Sequence, residues 1–166
     1  MTNAERSAPF DVWRDSPLRY LGYANELGES FRPLFPRAIA PSYVVAIGYV
    51  IGDTIDKGMG ALNEDPSTQP SSALGRGDNK TRAVKAALDT LIWQGFASVA
   101  IPGVVINRVV AASAYAISKQ AKATPAMLKW GPTCIGLGVI PFIIHPIDNF
   151  VDFAMDRTTR VWSRDI

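Results

Sequence analysis

From Trp130 to Ile147 the chain reads WGPTCIGLGVIPFIIHPI, eighteen residues without a Lys, Arg, Asp or Glu. At an α-helical rise of about 1.5 Å per residue this run reaches roughly 27 Å, close to the ~30 Å hydrocarbon core of a bilayer. A chain that carries such a run must bury it in a protein core or place it in lipid. Pro141 and Pro146 lie inside it, and each removes a helix hydrogen bond. The run therefore predicts a kinked span over 130–147 whose apolar helix ends near Ile144. Pro146 then opens a short C-terminal helix in an arm over 148–166.

Two further runs share this character. Ala38 to Gly52 is uncharged and is stopped by Asp53, Asp56 and Lys57. Fifteen residues are short for a span, but a helix over 36–56 suffices if both ends, with Tyr43 and Tyr49, sit near the interface. Leu91 to Ile106 is also uncharged. Pro102 and Gly103 interrupt it, and VVAASAYAIS follows Arg108, so 81–118 reads as a kinked helical region with small residues that let helices approach closely.

The connecting segments are polar. Ser16 reads as an N-cap with Pro17 in the first helical turn. Leu18, Leu21, Leu27 and Phe31 then recur near helical spacing, with Arg19, Glu26, Glu29 and Arg32 elsewhere, which predicts an amphipathic helix in an N-terminal arm over 1–35. Residues 57–80 are dense in Gly, Pro, Ser, Asn and Asp and read as a turn-rich linker. Residues 119–129 form a basic loop. With three spans, the N-terminal arm and this loop fall on the same side, and Lys and Arg are too evenly divided to fix the orientation. The expected fold is an all-α integral membrane protein with about three proline-kinked transmembrane helices, an amphipathic N-terminal helix and a short C-terminal helix.

Composition narrows the function. A net charge of +2 over 166 residues, with no basic face interleaved with aromatics, argues against nucleic acid as a partner. A hydrophobic share of 48% suits either a soluble bundle or a membrane protein with polar arms. The single cysteine, Cys134, lies in an apolar run and reads as a small apolar residue. The N-terminal segment has neither a secretory apolar core nor an Arg-rich, acid-free transit character, so targeting is expected to reside in the mature chain without a cleaved presequence.

His145, Asp148 and Asp152 stand at i, i+3 and i+7 and share a face of a continuous helix, a pattern that suits a metal or a His–Asp dyad. Helix-start architecture competes, because Pro146 suits a first turn and Asp148 then meets unpaired N–H groups there. There is no nucleophile turn, phosphate loop or dinucleotide glycine pattern. No catalytic residue, cofactor, metal or small-molecule substrate is expected. Asp53, Asp56, Asp89, Arg108, His145 and Asp148 border apolar runs, where charges are costly unless paired, and Arg108 is expected to pair with one of the carboxylates.

Four blocks then carry a resemblance. Arg19-Tyr20-Leu21-Gly22-Tyr23-Ala24-Asn25-Glu26, DTIDKG at 53–58, ASVAIPGVVINR at 97–108 and IPFIIHPID at 140–148 resemble, in order, the mitochondrial fission process protein family. The resemblance implies an all-helical, multi-pass protein of the inner mitochondrial membrane, without known catalytic residues, connected with fission and inner-membrane integrity. It adds Arg19, Tyr20, Tyr23, Asn25, Glu26 and Asn107 to the candidate structural or interaction residues. The partners expected are membrane lipid and other inner-membrane proteins. The alternative is an accessory subunit of a large assembly such as a respiratory complex or ATP synthase, since a turn-rich linker orders most easily against a neighbour.

Overall fold

Asp11 and Ser16 set the first turns of the chain. In the computed structural model, which describes residues 11–63 and 79–164, the Asp11 side chain accepts from the Trp13 N–H at 2.9 Å and starts α1, Val12–Asp15. Ser16 Oγ accepts from the Leu18 N–H at 3.1 Å and, with Pro17 behind it, starts a 3₁₀ helix over Pro17–Tyr23, as the sequence predicts. It runs directly into α2, Ala24–Ser30. A turn through Pro33 leads to a 3₁₀ turn at Pro36–Ala38 and then α3, Ile39–Asn63. Next come α4, Asn79–Gln94, a π-helical turn at Gly95–Ala100, and α5, Ile101–Ser118. The last elements are α6, Pro125–Arg157, and α7, Thr159–Arg164. No strand occurs among the described residues.

Three rods, Pro36–Asn63, Asn79–Ser118 and Pro125–Arg157, are long and apolar enough to cross a membrane. The fold expectation holds at that level, but the prolines act differently from the sequence reading. Pro102 does not break the second rod: it sits in the first turn of α5, directly after the π-helical turn that absorbs its missing N–H. Pro132, Pro141 and Pro146 all lie within α6. Pro146 therefore opens no new helix, and Asp148 falls in the interior of α6 rather than in a first turn. Apolar helices packed on neighbours tolerate proline because local adjustment re-satisfies the freed carbonyls. The helix also starts earlier than expected, at Pro125, where Thr124 accepts from the Met127 N–H at 3.2 Å. A short C-terminal helix is present as α7, but it starts at Thr159 and not at Pro146 as expected. Of the predicted linker, 57–63 belongs to α3, 79–80 belongs to α4, and 64–78 lies outside the described residues.

α3 packs on α4 and α5 packs on α6, while α2 fits between α3, α5 and α6. Glycines let it in: a Cβ on Gly28 would run into the Ser42 side chain, and one on Gly136 would stand 2.7 Å from Val110 Cγ2 and 3.0 Å from Ser30 Oγ. The polarity of this arm is inverted relative to a surface helix. Asn25, Glu26, Glu29 and Ser30 are buried, while Leu18, Leu21 and Leu27 face outward at 40 to 46% exposure. Outward apolar side chains continue on the rods at Val44, Ile47, Ile51, Val104 and Phe142.

The arm also ends elsewhere than expected. Asp11 pairs with Lys57, and the Trp13 ring meets Tyr49 edge-on at 5.4 Å. The 3₁₀ helix and α2 thus run back along α3, so Asp11 lies at the Lys57 end of the bundle. The basic turn at 119–124 joins α5 to α6 at the opposite end. The expectation that arm and loop share one side holds only for the arm's last residues, around Arg32, because the rest of the arm runs to the other end.

Close helix approach generates a test. Gly136→Val forces a side chain into Val110 and Ser30 and is expected to cost about 1–3 kcal/mol. Gly138→Ala, which meets nothing within 4 Å, should leave the thermal midpoint of the detergent-solubilised chain unchanged. Equal midpoints for the two variants would contradict this packing.

Candidate functional site: a polar interior around the N-terminal arm

One carboxylate joins three elements. Glu29 on α2 accepts two hydrogen bonds from Arg32, Nε to Oε2 and Nη2 to Oε1, both at 2.7 Å. It accepts a third from Asn107 Nδ2 on α5 at 3.0 Å and a fourth from the Tyr43 hydroxyl on α3 at 3.2 Å. These four hydrogen bonds, two of them from the charged Arg32, fill the lone pairs of a carboxylate that would otherwise be costly to bury. One turn away, Asn25 donates to the Val99 carbonyl of the π-helical turn at 3.1 Å. Gly103 permits the approach, since a Cβ there would lie 3.3 Å from the Asn25 amide nitrogen.

A second cluster lies nearer the Lys57 end. Buried Asp53 accepts from Gln94 Nε2 at 2.6 Å, and Gln94 Oε1 accepts from the Ser98 hydroxyl at 2.6 Å. Lys57 stands 3.7 Å from the other Asp53 oxygen. Beside this chain opens a cleft of about 370 Å³ between the 3₁₀ helix, the π-helical turn and α6, lined among others by Arg19, Tyr23, Gln94, His145, Asp148 and Asp152. Arg19 Nη2 donates to the Tyr23 hydroxyl at 3.3 Å on its rim. Further along, Arg160 gathers Asp89 at 2.9 and 3.1 Å, Asp152 at 3.0 Å and Asp156 at 2.8 Å, fastening the start of α7 to α4 and α6.

Glu26 is the anomaly of the interior. It is fully buried, and neither carboxylate oxygen accepts a hydrogen bond among the described residues. A buried carboxyl without partners is costly to ionise.

The predicted site residues divide accordingly. Arg19, Tyr23, His145 and Asp148 meet at the cleft, with Glu26 within electrostatic reach of Asp148. Asn25 and Asn107 belong to the cluster around Glu29, Asp53 to the Gln94 chain, and Asp89 to the Arg160 fastening. Tyr20 is 67% exposed and Asp56 is also exposed, so neither joins a cluster. Arg108 is exposed and pairs with no carboxylate among the described residues, contrary to expectation. Its neighbour Asn107 takes the inward position, and Arg32 is the cation that serves Glu29. The shared face of His145, Asp148 and Asp152 is real, because α6 continues through Pro146. No group of three His, Cys, Asp or Glu among the described residues is placed to hold a metal ion.

Sequence reasoning passed over Glu29, Arg32, Gln94, Ser98 and Arg160. The available signal was the run Asn25, Glu26, Glu29, Ser30, whose i, i+4 pairs place four polar groups on one side of two short turns.

The chain is similar to known proteins along most of its length. The model of a family described as Mitochondrial 18 kDa protein (MTP18) matches residues 14–155. Proteins named mitochondrial fission process protein 1 are similar along nearly the whole chain. The Caenorhabditis elegans protein is 49% identical over 162 residues, covering 96% of this chain and 93% of its own. The Homo sapiens protein is 49% identical over 156 residues, covering 93% and 89%. The Danio rerio protein is 46% identical over 158 residues, covering 93% and 89%. No solved structure matches.

Two expected outcomes follow from the clusters. Glu29→Ala leaves Tyr43 and Asn107 without their buried acceptor, each costing about 1–3 kcal/mol. Arg32→Gln should cost under about 1 kcal/mol, because the Arg32 side chain is 44% exposed and the pair is screened. Chemical denaturation in micelles checks the order, and a larger loss for Arg32→Gln would contradict it. Glu26→Gln keeps the shape of the side chain and should not lower the thermal midpoint, because among the described residues neither Glu26 carboxylate oxygen accepts a hydrogen bond that the amide would lose. A large loss would contradict the unpartnered position.

Proposed function

This chain belongs to the mitochondrial 18 kDa protein (MTP18) family, and on that premise we propose that it is a non-enzymatic, multi-pass protein of the inner mitochondrial membrane that acts in fission through contacts with other membrane proteins. Its relatives carry the name mitochondrial fission process protein, and at that coarse level the chain is a mitochondrial protein of the fission process.

The observation that carries the membrane reading is the distribution of apolar surface. Within the most apolar windows of the three rods, only 22%, 28% and 17% of the residues are buried inside the bundle. A soluble bundle of this size would use those runs as its core. Here they face outward, while carboxylates and amides face inward, an arrangement stable when the surroundings are lipid. Glu29, Asn25, Asp53 and Asp89 each bond to another element, so these polar groups read as the fastening of the helices rather than as a transport path. Glu26, Ser30 and Thr133 keep side-chain oxygens without a hydrogen bond among the described residues. Contact with other proteins then falls to the helix faces and the ends.

Organelle fractionation with alkaline carbonate washing tests this reading. The tagged chain should stay with membranes of mitochondria whose outer membrane has been opened, and it should keep a protease-protected core. Release into the carbonate supernatant, or loss together with the outer membrane, would overturn it.

A further inference from the structure

Among the described residues, acids other than the buried Glu29 are absent from one end of the bundle. No Asp or Glu occurs between residues 30 and 52 or between 90 and 147, whereas Arg32, Arg37, Arg108, Lys119, Lys122 and Lys129 all lie in or beside those stretches. The fold brings three of these cations into one layer. Arg32 and Asn107 both bind Glu29, which places Arg108 beside that carboxylate's level on α5. Arg37 lies in the 3₁₀ turn before α3, less than two helical turns from Tyr43, which binds the same Glu29. Arg37 and Arg108 are exposed, and among the described residues neither has a hydrogen bond or ion pair.

The surroundings make an unpaired arginine costly here. Along the α5 face that carries Arg108, the next exposed residues are Val104, Ala111, Ala112 and Tyr115, a lipid-facing composition. A guanidinium on such a face must reach the phosphate plane or find an anion. The described residues have none to give: Glu29, the acid at this level, is buried and already takes four hydrogen bonds. A second copy inserted in the same orientation presents the same layer, its Glu29 already engaged, and its described residues supply none either. The counter-charge has to come from outside the described bundle.

We propose that Arg37 and Arg108, with Arg32 beside them, form a binding layer for the phosphate of a net-anionic phospholipid. Guanidinium groups suit phosphate through paired N–H donors. The missing acids set the selectivity. A zwitterionic headgroup brings an ammonium that finds no carboxylate at this end, while an anionic headgroup adds only charge that the arginines and the nearby lysines of the 119–129 segment attract. This inference rests on the membrane-spanning reading above.

The test uses the full chain reconstituted in nanodiscs of phosphatidylcholine alone or of phosphatidylcholine with phosphatidylglycerol. Thermal midpoint and native mass spectrometry of retained lipid are the readouts. A bound lipid stabilises the folded state by mass action, so the midpoint should rise with phosphatidylglycerol, and phosphatidylglycerol should be retained preferentially. Arg37→Gln with Arg108→Gln should abolish both effects and leave the midpoint in pure phosphatidylcholine unchanged, because these side chains hold nothing within the protein. Arg108→Lys should keep most of the preference. A triple Gln substitution at Lys119, Lys122 and Lys129 should weaken the preference without removing it. Equal behaviour in the two lipids, a preference that survives the double arginine variant, or one lost only with the lysines overturns the proposal. Failure of the chain to enter nanodiscs at all would count instead against the membrane-spanning reading.

Discussion

The Glu29 carboxylate is the joint on which the arrangement depends. Its four hydrogen bonds come from the turn after α2, from α3 and from α5, so it fixes the N-terminal arm against two of the three long rods. A buried carboxylate is expensive unless its lone pairs are filled, and here they are. Once that position is set, Gly28 can lie on Ser42, Asn25 can reach Val99, and Gly136 can bring α6 up to Ser30 and Val110.

The same joint orders the charges along the bundle. Because the arm runs back along α3, Asp11 returns to Lys57, and Asp53, Asp89, Asp152 and Asp156 lie toward that end as well. The opposite end keeps arginines and lysines. Between them lie helices whose outer faces are apolar and whose inner faces carry the polar pairs. That distribution inverts the usual soluble pattern, in which apolar residues line the core and charges meet water. The inverted arm and the segregated ends are what a bundle surrounded by lipid at mid-height would need, in keeping with the reading proposed above.

Much of the fold was legible because uncharged length is a direct physical signal. The runs at 38–52, 91–106 and 130–147 identified all three rods, and Ser16-Pro17 identified the start of the first 3₁₀ helix. Proline was harder to read. Its local cost is certain, but whether a helix breaks at Pro102 or Pro146 depends on neighbours that absorb the lost hydrogen bond, and those belong to tertiary structure. The arm shows the same limit. Periodicity revealed an amphipathic segment at 18–31 but not its facing, since polar-out and polar-in helices share one pattern and only the surrounding medium distinguishes them. The cleft residues Arg19, Tyr23, His145 and Asp148 were found through their blocks and spacing. Glu29 and Gln94 were missed because their partners, Asn107 and Asp53, lie 78 and 41 residues away.

The central claim is that the N-terminal arm lies inside the membrane bundle with its polar face inward and its leucines toward lipid. Spin-label accessibility addresses it directly: nitroxides at Leu21 and at Leu27, in turn, on a Cys134→Ser background of the full chain in nanodiscs. The account predicts frequent collision with oxygen and protection from a water-soluble nickel chelate at both positions. Ready access of the nickel chelate to either label would place the arm on the membrane surface as an ordinary amphipathic helix and contradict the account.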